Sequence, residues 1–189
     1  MRGLILAMTL SSFISDAAAA PAEAKDVSST NADIVVMELK DGPVTIQLLP
    51  QQAPNHVQRI KELSQQGFYD GVVFHRVIDG FMVQTGDPTG TGMGGSNLPN
   101  LKAEFNDVSH VRGVVSMARS SEPNSANSQF FIVTADSTFL DGQYTAFGRV
   151  VKGMEAVDKI KKGDRANNGK VTNPDKIIKM RVGNTAEAK

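Results

Sequence analysis

The sequence predicts a mainly β protein, built as an antiparallel sandwich or a closed barrel. Apolar runs of strand length recur between turn residues along much of the 189-residue chain. Only two segments have the apolar spacing of a helix, and the strands do not alternate with helices as a parallel βαβ sheet requires. Many short strands joined by turns are typical of sandwiches and barrels.

The first two strands are predicted as a tight hairpin. Two apolar-rich runs, within residues 33–50, flank the dipeptide Asp41-Gly42. Asp-Gly is typical of a two-residue hairpin turn because both positions tolerate positive φ. Such a turn would pair Leu39 with Val44 and Met37 with Ile46.

Two helices are predicted, one within residues 53–67 and one within residues 153–163. Both have apolar residues at helical spacing, and Gly67 is a natural stop for the first. The inward-facing residues are Val57, Ile60 and Leu63 in the first helix, and Met154, Val157 and Ile160 in the second. His56 lies in the first helix, where we expect it to be exposed to solvent.

Six further runs have the composition of strands. They are Val72–Val77, Phe81–Thr85, Val114–Ala118, Phe130–Ala135, Thr145–Val151 and Lys176–Val182. The segment Lys161–Asp175 is polar and rich in Gly and Asn, and is predicted to be a surface loop.

The amino terminus has the features of a secretory signal peptide over residues 1–24. Arg2 precedes a mostly apolar run from Gly3 to Ile14, too short to span a bilayer. Two A-x-A sites place cleavage after Ala20 or Ala24. We expect a soluble exported protein with a linker at 25–32, one domain at 33–183, a disordered tail at 184–189 and no membrane association after cleavage.

Gly90, Gly92 and Gly95 spell G-x-G-x-x-G, the pattern of a dinucleotide-binding turn. That function requires a strand before the glycines and a helix after them. Here Pro99 and little helical periodicity follow, and a P-loop Gly-Lys-Ser/Thr is missing. We therefore interpret the glycines as a surface loop that needs unusual dihedrals.

The residue inventory argues against most catalytic chemistries. Cysteine is absent, there are only three histidines, and no His-carboxylate spacing predicts zinc. No G-x-S-x-G predicts a serine nucleophile, and Asp79 and Asp87 lie in turn contexts. The formal net charge of zero gives no indication of a nucleic-acid partner. An enzyme with this inventory would use no cofactor, no metal and no covalent intermediate.

One reaction needs none of these groups: rotation about the peptide bond that precedes proline. Its barrier, about 18–20 kcal/mol, arises from amide conjugation. In the twisted transition state the prolyl nitrogen gains a lone pair, which a cationic donor beside an apolar pocket would stabilise selectively.

Four motifs together resemble the cyclophilin-type peptidyl-prolyl isomerases. They are FHRVIDGFMVQTGDPTGTGMGG at 74–95, GVVSMARS at 113–120, NSQFFIV at 127–133 and FLDGQYTAFGRVVKGMEAVDKI at 139–160. The resemblance covers about Asp33 to Val182. It implies a closed eight-stranded antiparallel barrel capped by two α-helices, with the site on its outer face, and isomerase activity that assists protein folding.

The resemblance also implies the site. Arg76 would be the catalytic donor to the prolyl group, and substrates would be proline-containing unfolded or extended polypeptides. The residues expected to bind substrate or line its site are His75, Phe81, Met82, Gln84, Ala118, Arg119, Ser120, Gln129, Phe131, Phe139, Leu140 and Tyr144. Phe81, Met82, Phe131 and Leu140 would form the proline pocket. His75 is expected to support Arg76 rather than to react.

Three positions depart from the pattern of many members. Phe139 stands where many eukaryotic members have Trp, Tyr144 where they have His, and Arg119 where Asn is more usual. Loss of the indole donor predicts weak cyclosporin binding but retained turnover. The phenylalanine pattern resembles bacterial members and, with the leader, predicts a periplasmic location. We expect a monomer.

The pairing of the second hairpin tests the site assignment. A two-residue turn at Asp79-Gly80 would place Arg76 opposite Val83, with Arg76 and Gln84 on different faces. The resemblance requires both side chains at one site, so we predict a longer or bulged connection.

Two other functions stay open on the sequence alone. The same pocket would serve a proline-peptide binding module with little turnover. Alternatively, the basic residues of the Lys161–Lys170 loop would contact a partner.

Overall fold

Eight strands and two helices make up the domain, seen in a computed structural model that describes residues 33–183. The strands are β1 Ile34–Leu39, β2 Gly42–Leu48, β3 Arg76–Ile78, β4 Met82–Thr85, β5 Val114–Met117, β6 Phe130–Val133, β7 Ala146–Lys152 and β8 Lys179–Val182. The helices are α1 Pro54–Gln65 and α2 Met154–Asp158. The predicted signal peptide, linker and tail lie outside the described residues.

The strands form one antiparallel sheet in the order β3-β4-β6-β5-β7-β2-β1-β8. The mainly β class with two helices is confirmed. The expected closed barrel is wrong, because β3 and β8 are the two edges of an open, curled half-barrel. Between these edges the chain of residues 163–176 makes only isolated bridges, including Arg76 with Lys170 and Val73 with Lys176. Gly169, Asn173 and Pro174 interrupt this segment, which therefore does not form a continuous closing strand.

The first hairpin has a different register from the predicted one. Met37 pairs with Val44 and Leu39 with Gly42, so the turn is Lys40-Asp41 rather than Asp41-Gly42. Gly42 opens β2 with φ +130°, a conformation that other residues rarely adopt. The shift is two residues, so each side chain keeps its predicted face of the sheet.

Helix α1 buries the predicted apolar side, with Val57, Ile60 and Leu63 at most 2% exposed. Pro54 occupies the first turn, where its missing N–H costs nothing. The expectation that His56 is exposed is wrong: the side chain is fully buried, and its Nδ1 lies 2.6 Å from Oε2 of Glu104. A polar ring can occupy this buried position because the carboxylate binds its N–H.

Side chains of alternate residues separate into two apolar clusters, one on each face of the sheet. In β6, Phe130 and Ile132 join the main core with α1, whereas Phe131 and Val133 join a smaller outer cluster. In β4, Val83 faces the main core and Met82 the outer cluster. The outer cluster therefore forms an apolar surface on which a pocket can be built.

Neither helix in the described part of the chain has the length and apolar character of a membrane span.

Candidate active site

A three-residue connection brings Arg76 and Gln84 together. Arg76 pairs directly with Gln84, and Ile78 with Met82, leaving residues 79–81 as the loop. Gly80 supports this loop with φ +72°. The prediction of a longer connection is confirmed, and both side chains lie on the outer face of the sheet.

Three neutral acceptors orient the guanidinium of Arg76. Nη1 donates to Oε1 of Gln84 at 3.1 Å, Nε to the backbone oxygen of Asn168 at 3.0 Å, and Nη2 to Oδ1 of Asn168 at 2.9 Å. Burial lowers the pKa of Arg76 from its ordinary value, yet a guanidinium stays protonated at neutral pH. Because no carboxylate is among its partners, the charge is left available to a bound molecule.

A chain of side-chain amides extends from Arg76 to the glycine loop. Nε2 of Gln84 donates to Oε1 of Gln129 at 3.0 Å. Nε2 of Gln129 donates in turn to the backbone oxygens of Gly92 at 3.0 Å and Gly94 at 2.8 Å. The amide chain fixes the side-chain orientation of Gln84, which in turn orients Arg76.

Asp87 holds the glycine loop in place. Its fully buried carboxylate accepts hydrogen bonds from the amides of Thr89, Gly92 and Gly94 and from two threonine hydroxyls. Burial alone would raise the pKa of Asp87, but the bonds from Thr89, Gly94 and Gly92 outweigh it and lower the pKa to about 2. The glycines therefore form a loop folded on a buried anion, with no strand-to-helix phosphate site.

A first cavity of about 300 Å³ lies on the outer cluster beside Arg76. The structure brings most of the implied site residues to its walls, with Asn168 as an addition. The lining residues are Arg76, Phe81, Met82, Gln84, Ala118, Arg119, Phe131, Leu140, Tyr144 and Asn168. A hollow with apolar walls from Phe81, Met82, Phe131 and Leu140 and with oriented guanidinium groups at its edge can hold a small ring and donate to a polar atom attached to it.

A second cavity of about 500 Å³ adjoins the first and shares Gln84, Ala118 and Arg119 with it. Apart from Met93, its remaining walls are polar or glycine-rich and include Ser120 and Gln129. The two cavities form one groove across the face of the sheet, long enough for an extended chain rather than a single residue.

Two implied residues line neither cavity. Phe139 is 64% exposed and packs against Phe81, with ring centroids 5.5 Å apart. His75 is buried, and neither ring nitrogen has a hydrogen-bond partner among the described residues. Its ring lies under the glycine loop, so close to Gly92 that an added Cβ would be 3.3 Å from Cδ2. His75 is therefore a packing residue beneath the loop.

Asn168 is the residue that sequence reasoning missed. It is one of two described residues other than glycine with positive φ, at +52°. The neighbouring pair Asn168-Gly169 was a visible signal of a turn, but not of its contact with Arg76. The loop first considered as a partner-binding surface thus supplies two of the three acceptors of Arg76.

A polar triad lies behind the pocket, with His110 and Ser116 buried and Asp141 at the surface. His110 is 1% exposed, and its Nδ1 lies 2.9 Å from Oδ1 of Asp141 and its Nε2 3.0 Å from Oγ of Ser116. The residue types and their hydrogen bonds resemble a hydrolase triad, but Ser116 is completely buried and no substrate can reach it. The imidazole stacks on Phe131 with centroids 6.3 Å apart, so the triad supports the pocket wall.

Comparison with known proteins gives the family. The family model described as cyclophilin type peptidyl-prolyl cis-trans isomerase/CLD matches residues 34–182. A probable peptidyl-prolyl cis-trans isomerase of Brucella suis biovar 1 is 57% identical over 159 residues, covering 78% of this chain and 81% of its own. The peptidyl-prolyl cis-trans isomerase-like 1 of Aspergillus fumigatus is 41% identical over 154 residues, covering 78% and 94%.

Solved structures agree with the family model. A Cryptosporidium parvum cyclophilin, crystallised in the presence of the dipeptide Ala-Pro, has TM-score 0.73 and 29% identity, over 80% of this chain and 99% of that one. The Hirschia baltica cyclophilin AquaCyp293 has TM-score 0.72 and 28% identity, over 81% and 74%. On the fold, the oriented arginine and these matches, the chain belongs to the cyclophilin-type peptidyl-prolyl cis-trans isomerases and is an enzyme of that activity.

Proposed function

We propose that Arg76 catalyses the rotation by donating to the prolyl group of an extended substrate. The observation that carries this proposal is the Arg76 guanidinium, held by three neutral acceptors at the edge of an apolar cavity. The proline ring occupies the cavity formed by Phe81, Met82, Phe131 and Leu140. The chain on one side of the bond then rotates while the ring stays fixed.

The catalytic effect follows from a difference between ground state and transition state. In the planar amide the prolyl nitrogen has no available lone pair, because conjugation uses it. Twisting ends the conjugation and makes this nitrogen an acceptor for the guanidinium. A cation already oriented by Gln84 and Asn168 stabilises the twisted state without reorganisation. No bond is broken, so no nucleophile or proton transfer is required.

The substrate is an extended, proline-containing polypeptide. The groove continues from the proline cavity past Ala118, Arg119 and Ser120 into the second cavity. A folded segment would not fit both cavities, whereas an extended backbone would follow them. The cyclophilin solved with Ala-Pro supports the proline-containing part of this proposal.

The first test is cis-trans exchange of an Ala-Pro peptide, measured by NMR with residues 25–189. We expect rapid exchange with the wild type and a loss on the order of 10²–10³-fold in kcat/KM for Arg76→Ala. Arg76→Lys keeps the charge but not the fork of donors, and should restore only part of the activity. Arg149→Ala removes an exposed arginine of β7 and is the control. Full activity of Arg76→Ala would overturn the mechanism.

The physiological role proposed is folding of exported polypeptides in the periplasm, because residues 1–24 have the features of a signal peptide. Expression of the full chain in a Gram-negative host, with fractionation and amino-terminal sequencing, tests this. We expect the periplasmic form to begin at Pro21 or Lys25. An uncleaved chain retained in the cytoplasm would contradict export while leaving the isomerase mechanism intact.

A further inference from the structure

The substrate groove contains a second fixed cation, Arg119, at the junction of its two cavities. Nε donates to the backbone oxygen of Gln143 at 3.1 Å, and Nη1 donates to those of Ser120 at 2.9 Å and Ser121 at 3.3 Å. The guanidinium also lies over the ring of Tyr144, 4.8 Å from its centroid. The side chain is therefore ordered by the protein before any substrate binds.

The groove is positively charged, although the whole chain is formally neutral. Arg76 and Arg119 are the only charged residues that line the two cavities in the described part of the chain. Neither forms an ion pair there, whereas the surface residues Arg112 and Arg181 pair with aspartates. Glu122, three residues beyond Arg119, is exposed and lines neither cavity. The positive potential is thus a local property of the groove.

One nitrogen of the Arg119 guanidinium is free to donate hydrogen bonds to a molecule bound in the groove. Its Nε and Nη1 are engaged by carbonyl oxygens, while Nη2 has no acceptor among residues 33–183. Arg76 differs, because its Nε, Nη1 and Nη2 each have an acceptor. A carboxylate entering the groove beside the proline cavity would find two N–H groups of a preoriented guanidinium.

We propose that the enzyme prefers substrates with an acidic side chain close to the isomerised X-Pro bond, and that Arg119 determines this preference. The inference rests on the proposed function, since it assumes that the proline ring occupies the first cavity. An acidic side chain gains attraction from Arg119 and from the field of Arg76, whereas a basic side chain is repelled by both. The gain is largest at low ionic strength, because salt screens a partly exposed pair.

The test is a set of matched peptides with one X-Pro bond. Glu, Gln or Lys is placed in turn at each of the positions flanking the proline, on an otherwise uncharged background, and kcat/KM is measured by NMR exchange. We expect at least one position at which Glu exceeds Gln about fivefold and Lys is poorer than Gln. The preference should diminish as salt is raised from about 20 to 500 mM.

Variants assign the preference to Arg119. Arg119→Gln should bring the Glu-to-Gln ratio at that position close to one, while Arg119→Lys should keep part of it. Arg149→Gln removes the same charge outside the groove and should leave the ratio unchanged. Because each readout is a ratio within one enzyme, a loss of active protein in a variant cancels.

The outcomes separate the two proposals. Turnover of all peptides with no acidic preference at any position, or a preference that persists in Arg119→Gln, would overturn the inference and leave the isomerase mechanism standing. Absence of exchange with every peptide, including the uncharged ones, would overturn the proposed function itself.

Discussion

Asn168 holds the guanidinium of Arg76 with two of its own oxygen atoms, although 92 residues separate the two in the chain. The backbone oxygen accepts from Nε and the side-chain Oδ1 from Nη2. Both can face one guanidinium because Asn168 adopts the left-handed conformation, with φ +52°. Asn168 also lines the first cavity, and we propose that it affects catalysis by positioning Arg76.

We predict that Asn168→Gly lowers kcat about tenfold with little change in KM. Glycine tolerates the positive φ and keeps the backbone acceptor, so only the bond to Oδ1 is lost. Asn168→Asp should lower kcat further, because its carboxylate would neutralise the cation on which the proposed mechanism depends. Steady-state NMR exchange at several peptide concentrations separates kcat from KM.

Asn173→Gly is the matched control for this prediction. Asn173 is also left-handed, with φ +51°, and it is exposed outside the groove. The same change there should leave kcat unaltered. Equal losses in the two variants would mean that the loop backbone, rather than the contact of Asn168 with Arg76, controls the rate.

Local pattern was sufficient to predict most of the strands, whereas the candidate site residues came from the resemblance of four sequence motifs to a known family. Period-two alternation in β4 and β6 distinguishes the core face from the pocket face, and the motif containing Arg76 and Gln84 is continuous in sequence. The required register of these two residues followed from that alternation together with the resemblance, which implies that both side chains lie at one site. Their roles in catalysis stay predictions until the variants are measured.

Contacts between segments far apart in the chain could not be predicted from the sequence. The burial of His56 depends on Glu104, 48 residues away, and periodicity along α1 gave no information about that partner. The open sheet depends in the same way on residues 163–176, which contact β3 through hydrogen bonds and an isolated bridge but form no continuous strand beside it. Such pairings are decided by tertiary packing rather than by local propensity.

We predict that Gly86→Ala destabilises the domain by about 3 kcal/mol or more. Gly86 has φ +92°, and an added Cβ would lie 2.3 Å from the backbone oxygen of Ser128 and 2.7 Å from Cα of Gln129. The strand that carries Gln84 would be forced away from the segment that carries Gln129. Urea denaturation followed by circular dichroism measures the free energy of unfolding.

Gly142→Ala separates backbone strain from the steric clash. Gly142 also has positive φ, at +70°, but an added Cβ would have no atom within 4 Å. We expect a cost of about 1 kcal/mol there, from the dihedral alone. A similar cost at both positions would show that close packing of Gly86 on Ser128 is not what makes glycine necessary.

We predict that Glu104→Ala destabilises the domain by about 2–3 kcal/mol. Helix α1 has no side-chain cap at its own amino terminus, and Glu104 supplies the acceptors instead. Its carboxylate binds the backbone amides of Asn55 at 3.1 Å and His56 at 3.0 Å, together with Nδ1 of His56. Removal leaves the buried donors of His56 unsatisfied. Glu122→Ala, an exposed carboxylate, is the control and should change stability by less than about 0.5 kcal/mol.

The pH dependence of this pair has a definite sign. Burial lowers the pKa of His56, outweighing the hydrogen bond to Glu104, so the folded protein disfavours the charged ring. The stability that this group contributes is present above the ordinary histidine pKa of about 6.5 and decreases as the pH falls below it. His56→Gln should weaken the dependence between about pH 6.5 and 5 and leave the part contributed by His75, whose pKa burial also lowers. An unchanged profile would contradict the burial of a neutral ring.

The buried carboxylate of Asp87, beneath the glycine loop, should make stability depend on pH in acid. The pKa of Asp87 is lowered to about 2 in the folded protein, from 3.8 in the absence of its partners. A depressed pKa gives stability that is fully present above about pH 4 and is lost as the pH falls toward 2. The shift corresponds to about 2 kcal/mol, which should be missing from Asp87→Asn at neutral pH. Asp107→Asn, an exposed carboxylate, is the control for charge removal.

Asp87→Asn should also affect the active site, through the chain of side-chain amides that joins the glycine loop to Arg76. Gln129 is anchored to the backbone oxygens of Gly92 and Gly94, and the amides of these two glycines donate to Asp87. A looser loop would no longer fix the side chain of Gln129, and Gln129 would no longer fix that of Gln84. We therefore expect Asp87→Asn to lower kcat about threefold even where the protein stays folded. Backbone amide exchange of residues 89–95 should rise in the same variant. If the amides of the loop stay protected from exchange and kcat is unchanged, the glycine loop does not depend on the buried carboxylate of Asp87 for its conformation.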